Sequence, residues 1–163
     1  MGRREITAGT ASLRTAIGHT RLLMATDNVE IVRRGYSAFR EAGVEGILEF
    51  LHPEIEWHMS AAFTHDPQVY RGYDGVREVF RFFNERIADL GADPHEFIDA
   101  GDRVIVPLRM HGRLRETGEP VAYELVQVWT GRDGKAIKLV TYPDTETAAA
   151  DPDLVAAAGR SAV

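Results

Sequence analysis

The sequence predicts one α+β domain, in which about three helices near the N-terminus pack against a mainly antiparallel sheet that curls over them. Three observations carry this. Apolar residues recur at three- and four-residue spacing in the first half of the chain, and alternate residue by residue in the second. Turn signals separate the alternating runs, as in a meander. The length of 163 residues suits a single domain with its own core. Helices first and antiparallel strands later is the α+β order.

Residues 1–26 carry four arginines against one glutamate and show no clear period. They are expected to form a flexible arm, with the folded domain spanning 27–147 and starting near Met24, just ahead of the cap-rich Thr26-Asp27-Asn28. From Asn28 to Glu41 the pattern is helical, with Val29, Val32, Tyr36 and Phe39 on one stripe, and Gly43 ends it. Ile47, Leu48 and Leu51 suggest a short second helix stopped by Pro53. Glu54 to Ser60 alternates as a strand, with Ile55, Trp57 and Met59 facing one way and Glu54, Glu56 and His58 the other.

Residues 61–73 read as a loop. Asp74 then caps a helix whose stripe runs Val76, Val79, Phe80, Phe83, Ile87 and Leu90, closed by Gly91. Strands follow over 95–100, 103–115, 121–130 and 136–142, with Arg132-Asp133-Gly134-Lys135 as a hairpin turn. The Ala-rich stretch from Thr145 reads as a frayed helix, and 148–163 as a short tail.

Composition narrows the function classes. Hydrophobic residues make up 44% and charged residues 27%, a globular balance. The net charge of −6 argues against a nucleic-acid surface. Absence of cysteine removes disulfides, cysteine–zinc sites and thiol chemistry, and a reducing cytoplasm is the expected compartment. No apolar run reaches the ~20 residues that span a bilayer. Arg3 and Arg4 precede a Thr-, Ser-, Gly- and Ala-rich stretch, so neither an export signal nor a membrane partner is expected. The six histidines show no His-x-His or His-Glu-x-x-His spacing, and there is no glycine-rich phosphate loop. Neither a metal nor another cofactor is expected.

The order of elements, with Tyr36-Ser37-Ala38-Phe39, Leu51-His52-Pro53-Glu54-Ile55-Glu56-Trp57-His58, Tyr70-Arg71-Gly72-Tyr73-Asp74-Gly75-Val76 and Tyr142-Pro143-Asp144, resembles one superfamily. It includes ketosteroid isomerases, SnoaL-type polyketide cyclases, scytalone dehydratase, limonene epoxide hydrolase and nuclear transport factor 2. The resemblance covers roughly residues 27–147 and implies a cone-shaped domain whose curved sheet encloses a pocket. A strongly curved sheet cannot pack flush on straight helices, so a cavity opens between them. Candidate lining residues are Phe39, Trp57, Met59, Phe80, Phe83, Leu125 and Trp129, a set suited to a small apolar ligand.

The isomerase resemblance implies a helix-one tyrosine that donates to a developing oxyanion, here Tyr36. The residue type fits equally a core tyrosine with a satisfied hydroxyl. A second donor is implied where Gln127 stands, and an amide can donate there without any shift of pKa. The implied aspartate base falls on Met59, which cannot take a proton. His58 beside it can, although alternation turns it to the other face. The epoxide hydrolase resemblance implies an Asp–Arg–Asp set, and Arg109 matches its arginine while His111 and Thr141 stand in place of the acids. That alignment turns Arg109 and His111 into the pocket, whereas the isomerase alignment turns Leu108 and Met110 there, and both stay open. The cyclase resemblance implies an acid/base aspartate, for which Asp66 and Asp144 are candidates.

The expectation is a small-molecule pocket protein. As an enzyme it would run cofactor-free acid/base chemistry, isomerisation, cyclisation or dehydration, on an apolar carbonyl or polyketide-like substrate. Tyr36 and Gln127 would hold the oxyanion, with His58, His111 or Asp66 as base. The alternatives are a carrier of a hydrophobic metabolite and a partner-binding domain. A homodimer is expected because Val126 and Val128 are apolar on the outer face of their strand, where a solvated sheet would be polar.

Overall fold

A computed structural model describes residues 27–60, 68–152 and 154. The expected arm over 1–26 and Asp66 therefore lie outside the described residues. In chain order the elements are α1 (Asp27–Ile47), a 3-10 turn (Leu48–Phe50), β1 (Leu51–Met59), β2 (Gln68–Arg71) and α2 (Gly72–Asn84). They continue with β3 (Ile87–Pro94), β4 (Ile98–Ala100), β5 (Arg103–Leu114), β6 (Pro120–Arg132), β7 (Lys135–Tyr142) and α3 (Thr145–Ala149). The architecture is α+β: helices pack on an open sheet of seven described strands in the order β2-β1-β7-β6-β5-β3, with β4 also on β5.

The sheet is mainly antiparallel, and β1 beside β7 is its parallel pair. Between β1 and β7 the chain runs through β2, α2 and the strands β3 to β6, and a parallel neighbour needs a long connection of this kind. The long β5–β6 hairpin is its spine, with Arg103 opposite Thr130 at one end and Arg113 opposite Pro120 at the other.

Gly43 takes φ 67°, a conformation that costs glycine little, and breaks α1 into two segments. The second segment is held by Glu45, whose carboxylate takes two bonds from the Arg77 guanidinium on α2, at 2.8 and 3.1 Å. Ile47 and Leu48 are thereby buried with Val76, Val79 and Phe80 of α2 and Ile55, Trp57 and Leu139 of the sheet. Farther up α1, Val32 and Tyr36 pack on Val104, Val106, Leu108 and Leu125.

Three local readings are corrected. Leu51 begins β1 rather than ending a helix. Pro53 lies in the irregular stretch between Leu51 and Glu56, where the ladder to β7 shifts register and a missing N–H is tolerated. The expected loop over 61–73 contains β2, which pairs with β1 so that Tyr70 lies opposite Trp57. The third helix ends at Asn84, and Ile87 and Leu90 belong to β3. Their spacing from Phe83 suits a helix, but pairing with β5 prevails, and Asp89 takes φ 55° where the ladder shifts between Ala88 and Gly91. Tertiary pairing overrides local periodicity here.

On the convex side of the sheet, Ile105, Val126, Val128 and Tyr142 are covered by Ala148 of α3 and by Leu154. Asp144 caps α3 by accepting from the Thr147 N–H at 2.7 Å. The Tyr142 hydroxyl donates to Asp151 and ties down the segment that follows. Val126 and Val128 are 1% and 4% exposed within the chain itself, so these two residues do not by themselves call for a second subunit.

Candidate functional site

Between the helices and the concave face lies a cavity of about 370 Å³. The helices meet the sheet in two separate clusters, Val32 and Tyr36 on Val104, Val106, Leu108 and Leu125, and Ile47, Val79 and Phe80 on Ile55, Trp57 and Leu139. Aromatic rings make its walls. Phe39 and Phe80 lie 5.2 Å apart between centroids, Phe80 meets Trp57 at 5.6 Å, and Tyr36 meets Trp129 edge-to-face at 6.0 Å.

Strand alternation decides which residues enter it. On β6, Leu125, Gln127 and Trp129 point inward; on β1, Trp57 and Met59; on β7, Leu139 and Thr141. Phe83 of α2 and Leu108, Met110 and His111 of β5 complete much of the lining. Arg109 is exposed and stands on the opposite face, in a shallow outer depression with Asp89, Asp93 and Arg113. His58 stands outside as well, bonded to Glu56 at 3.1 Å, and Glu56 also holds Arg71. His111 borders both spaces, with its ring against Gly91 and its Nε2 3.0 Å from an Asp93 oxygen. A side chain at Gly91 would collide with that ring, so the glycine gives the imidazole its place. Asp144 is spent on the α3 cap.

One polar chain crosses the apolar cavity. The Tyr36 hydroxyl donates to Gln127 Oε1 at 2.5 Å and accepts from the Trp129 indole N–H at 3.0 Å. Gln127 Nε2 reaches Thr141 Oγ1 at 3.4 Å, and the Trp57 indole N–H donates to the same oxygen at 2.9 Å. Tyr36, Gln127, Thr141 and Trp57 are all buried. Burial pushes the Tyr36 phenol far above its ordinary range, with the Trp129 hydrogen bond pulling weakly the other way. Tyr36 therefore keeps its proton and acts as a donor.

The chemistry of this chain is lopsided. It offers two indole N–H groups, an amide NH₂ and two hydroxyls, whereas no Asp or Glu among the described residues lines the cavity. Such a set can hold and polarise an acceptor oxygen. Tyr36 and Gln127 are bonded to each other rather than to empty space, so an incoming oxygen must enter between them. Alternation could have singled out Thr141, which lies directly across from Gln127 in the β6–β7 ladder. Arg86, which also lines the cavity, was hidden by the helical reading through Leu90. Among the described residues, no group of His, Asp and Glu side chains is arranged to hold a metal ion.

An α+β cone with a donor-lined apolar hollow defines a class of small pocket proteins. The chain belongs to the SnoaL-like domain family, whose model matches residues 32–139. An NTF2-like protein from Burkholderia thailandensis is 30% identical, with 79% of this chain and 100% of that one covered and a TM-score of 0.65. TerC, co-crystallised with polyporic acid, is 29% identical over 80% of this chain and 99% of its own, with a TM-score of 0.64. An NTF2-like protein of unknown function from Burkholderia pseudomallei is 25% identical over 76% and 95%, with a TM-score of 0.65. No curated protein matches the chain by sequence.

Proposed function

We propose that this protein binds a flat, apolar small molecule in the concave cavity and grips it by one acceptor oxygen, a carbonyl or a phenol. The observation that carries the proposal is the buried Tyr36–Gln127 pair, flanked by Trp129 and Thr141 in a mostly apolar hollow. A phenol can insert between the two, accepting from Tyr36 and donating to Gln127 Oε1. A carbonyl or enolate oxygen can take both the Tyr36 hydroxyl and a rotated Gln127 amide. Each donor to a charged oxygen contributes ~1.5–3 kcal/mol, which favours an enolate over its parent ketone. That TerC, a similar protein, was co-crystallised with polyporic acid supports a small organic ligand for this chain.

A second reading rests on His111. Its imidazole borders the cavity and is oriented by Asp93, the arrangement that serves a general base. With it, the same donors would support cofactor-free isomerisation or cyclisation of an apolar carbonyl compound. His58 and Arg109, which face outward, have no part in either reading.

The direct test is crystallography with 2-naphthol. Its oxygen is expected within hydrogen-bonding distance of Tyr36 and Gln127, with the rings between Phe80 and Trp129. Naphthol seated elsewhere, or a hollow that excludes it, would overturn the proposal.

A further inference from the structure

We infer that the cavity selects apolar molecules carrying a second, anionic group at the end remote from Tyr36, and that Arg86 is the residue that reads it. The inference rests on the proposed function, because it assigns the far end of the same ligand. The chain has 25 Asp and Glu against 19 Lys and Arg, yet no described carboxylate lines the cavity and Arg86 is its fixed cation; His111, the other basic residue of the lining, is paired with Asp93. In an acidic protein, a hollow whose described lining holds an arginine and no carboxylate favours an anion at that residue.

Arg86 is also held in place. It sits just past the end of α2, where its own N–H donates to the Phe83 carbonyl at 3.0 Å and its carbonyl accepts from the Arg115 N–H at 2.9 Å. The guanidinium lies over the Phe82 ring, 4.0 Å from the centroid, and Nη1 donates to the Phe82 carbonyl at 2.8 Å. Among the described residues no carboxylate pairs with it. A guanidinium carries five N–H donors in a fixed fork, so the remaining donors can take a carboxylate. Exposed residues such as Tyr123 and Arg86 mark the rim, whereas Tyr36 and Gln127 are buried. The two polar contacts therefore lie at different depths, one at the rim and one buried, and the ligand class is an elongated aromatic acid with an oxygen at its opposite end.

The test compares 2-naphthol, which carries the deep oxygen alone, with 6-hydroxy-2-naphthoic acid, which adds a carboxylate at the far end. Affinities are measured by calorimetry for the full-length protein, for Arg86→Gln and for Arg109→Gln, a charge-matched change outside the cavity. The acid is expected to bind about tenfold tighter than naphthol, as a charge-assisted bond to a fixed guanidinium allows. That gain should vanish in R86Q, persist in R109Q and shrink at high salt, while naphthol binds all three proteins alike. If naphthol binds but the acid shows no gain, or keeps its gain in R86Q, this inference fails and the pocket reading stands. Failure of both ligands to bind overturns both.

Discussion

The two faces of β5, β6 and β7 are built from alternate residues of the same strands, and they are finished differently. On the convex face Ile105, Val126 and Val128 meet Ala148 and Leu154, so the surface is closed by the chain's own C-terminal segment. On the concave face Leu125, Gln127 and Trp129 look into about 370 Å³ of unfilled space, crossed by a hydrogen-bonded chain of Tyr36, Gln127, Thr141 and the two tryptophans. Close packing is the ordinary state of a protein interior. Where a fold leaves a hollow and furnishes it with aimed donors, the missing packing is what a ligand supplies. One face serves stability, and the other is the face we propose for binding.

The comparison predicts unequal costs for similar truncations. Ile105→Ala opens a new cavity in a closed face and should cost about 4 kcal/mol, whereas Leu125→Ala widens an existing one and should cost about 2 kcal/mol. Urea unfolding of both variants measures the difference. Equal losses would mean that the concave side is packed as tightly as the convex one.

A smaller effect belongs to the polar chain. Tyr36→Phe strands the Trp129 N–H and one Gln127 acceptor, a loss of ~1–3 kcal/mol. Its pH signature has a definite sign. The folded phenol holds its proton above the ordinary tyrosine value of 10.0, so the unfolded chain releases that proton first and native stability falls as pH rises past that point. The fall approaches about 1.4 kcal/mol per pH unit from this one group. Y36F should lack that component of the alkaline slope, and an identical slope in both proteins would contradict the buried, protonated tyrosine.

The smallest effect is expected at Arg109, exposed on the convex side. Arg109→Ala should change stability by less than ~0.5 kcal/mol and leave ligand affinity untouched. A loss of binding would bring Arg109 back into the site.

Much of this was legible in the sequence where one period decided the outcome. Leu125-x-Gln127-x-Trp129 and Trp57-x-Met59 could only place their members on one face, and Gly43 could only interrupt a helix. Where two periods agreed locally, the sequence misled. Ile87 and Leu90 continue the stripe of α2 as well as they fit a bulged strand, and the long-range ladder to β5 chose the strand. Arg86 was lost to the site with them. The apolar outer residues Val126 and Val128 announced a need for cover, but spacing along a strand does not reveal that residues 148 and 154 return to provide it. Parity on β5 was also undecidable from sequence. Pairing put Leu108 and Met110 inward, while His111, set against Gly91, reaches the rim from the other side.

The most direct test of the central claim, that the hollow grips an oxygen rather than only a shape, is a pair of affinities measured on wild type and Y36F. The ligands are 2-naphthol and 2-methylnaphthalene, which share an outline and differ in the polar atom. The account predicts that Y36F weakens 2-naphthol about tenfold, the equivalent of one good hydrogen bond, and leaves 2-methylnaphthalene unchanged. Equal losses for the two ligands would show that Tyr36 contributes packing alone and would contradict the account.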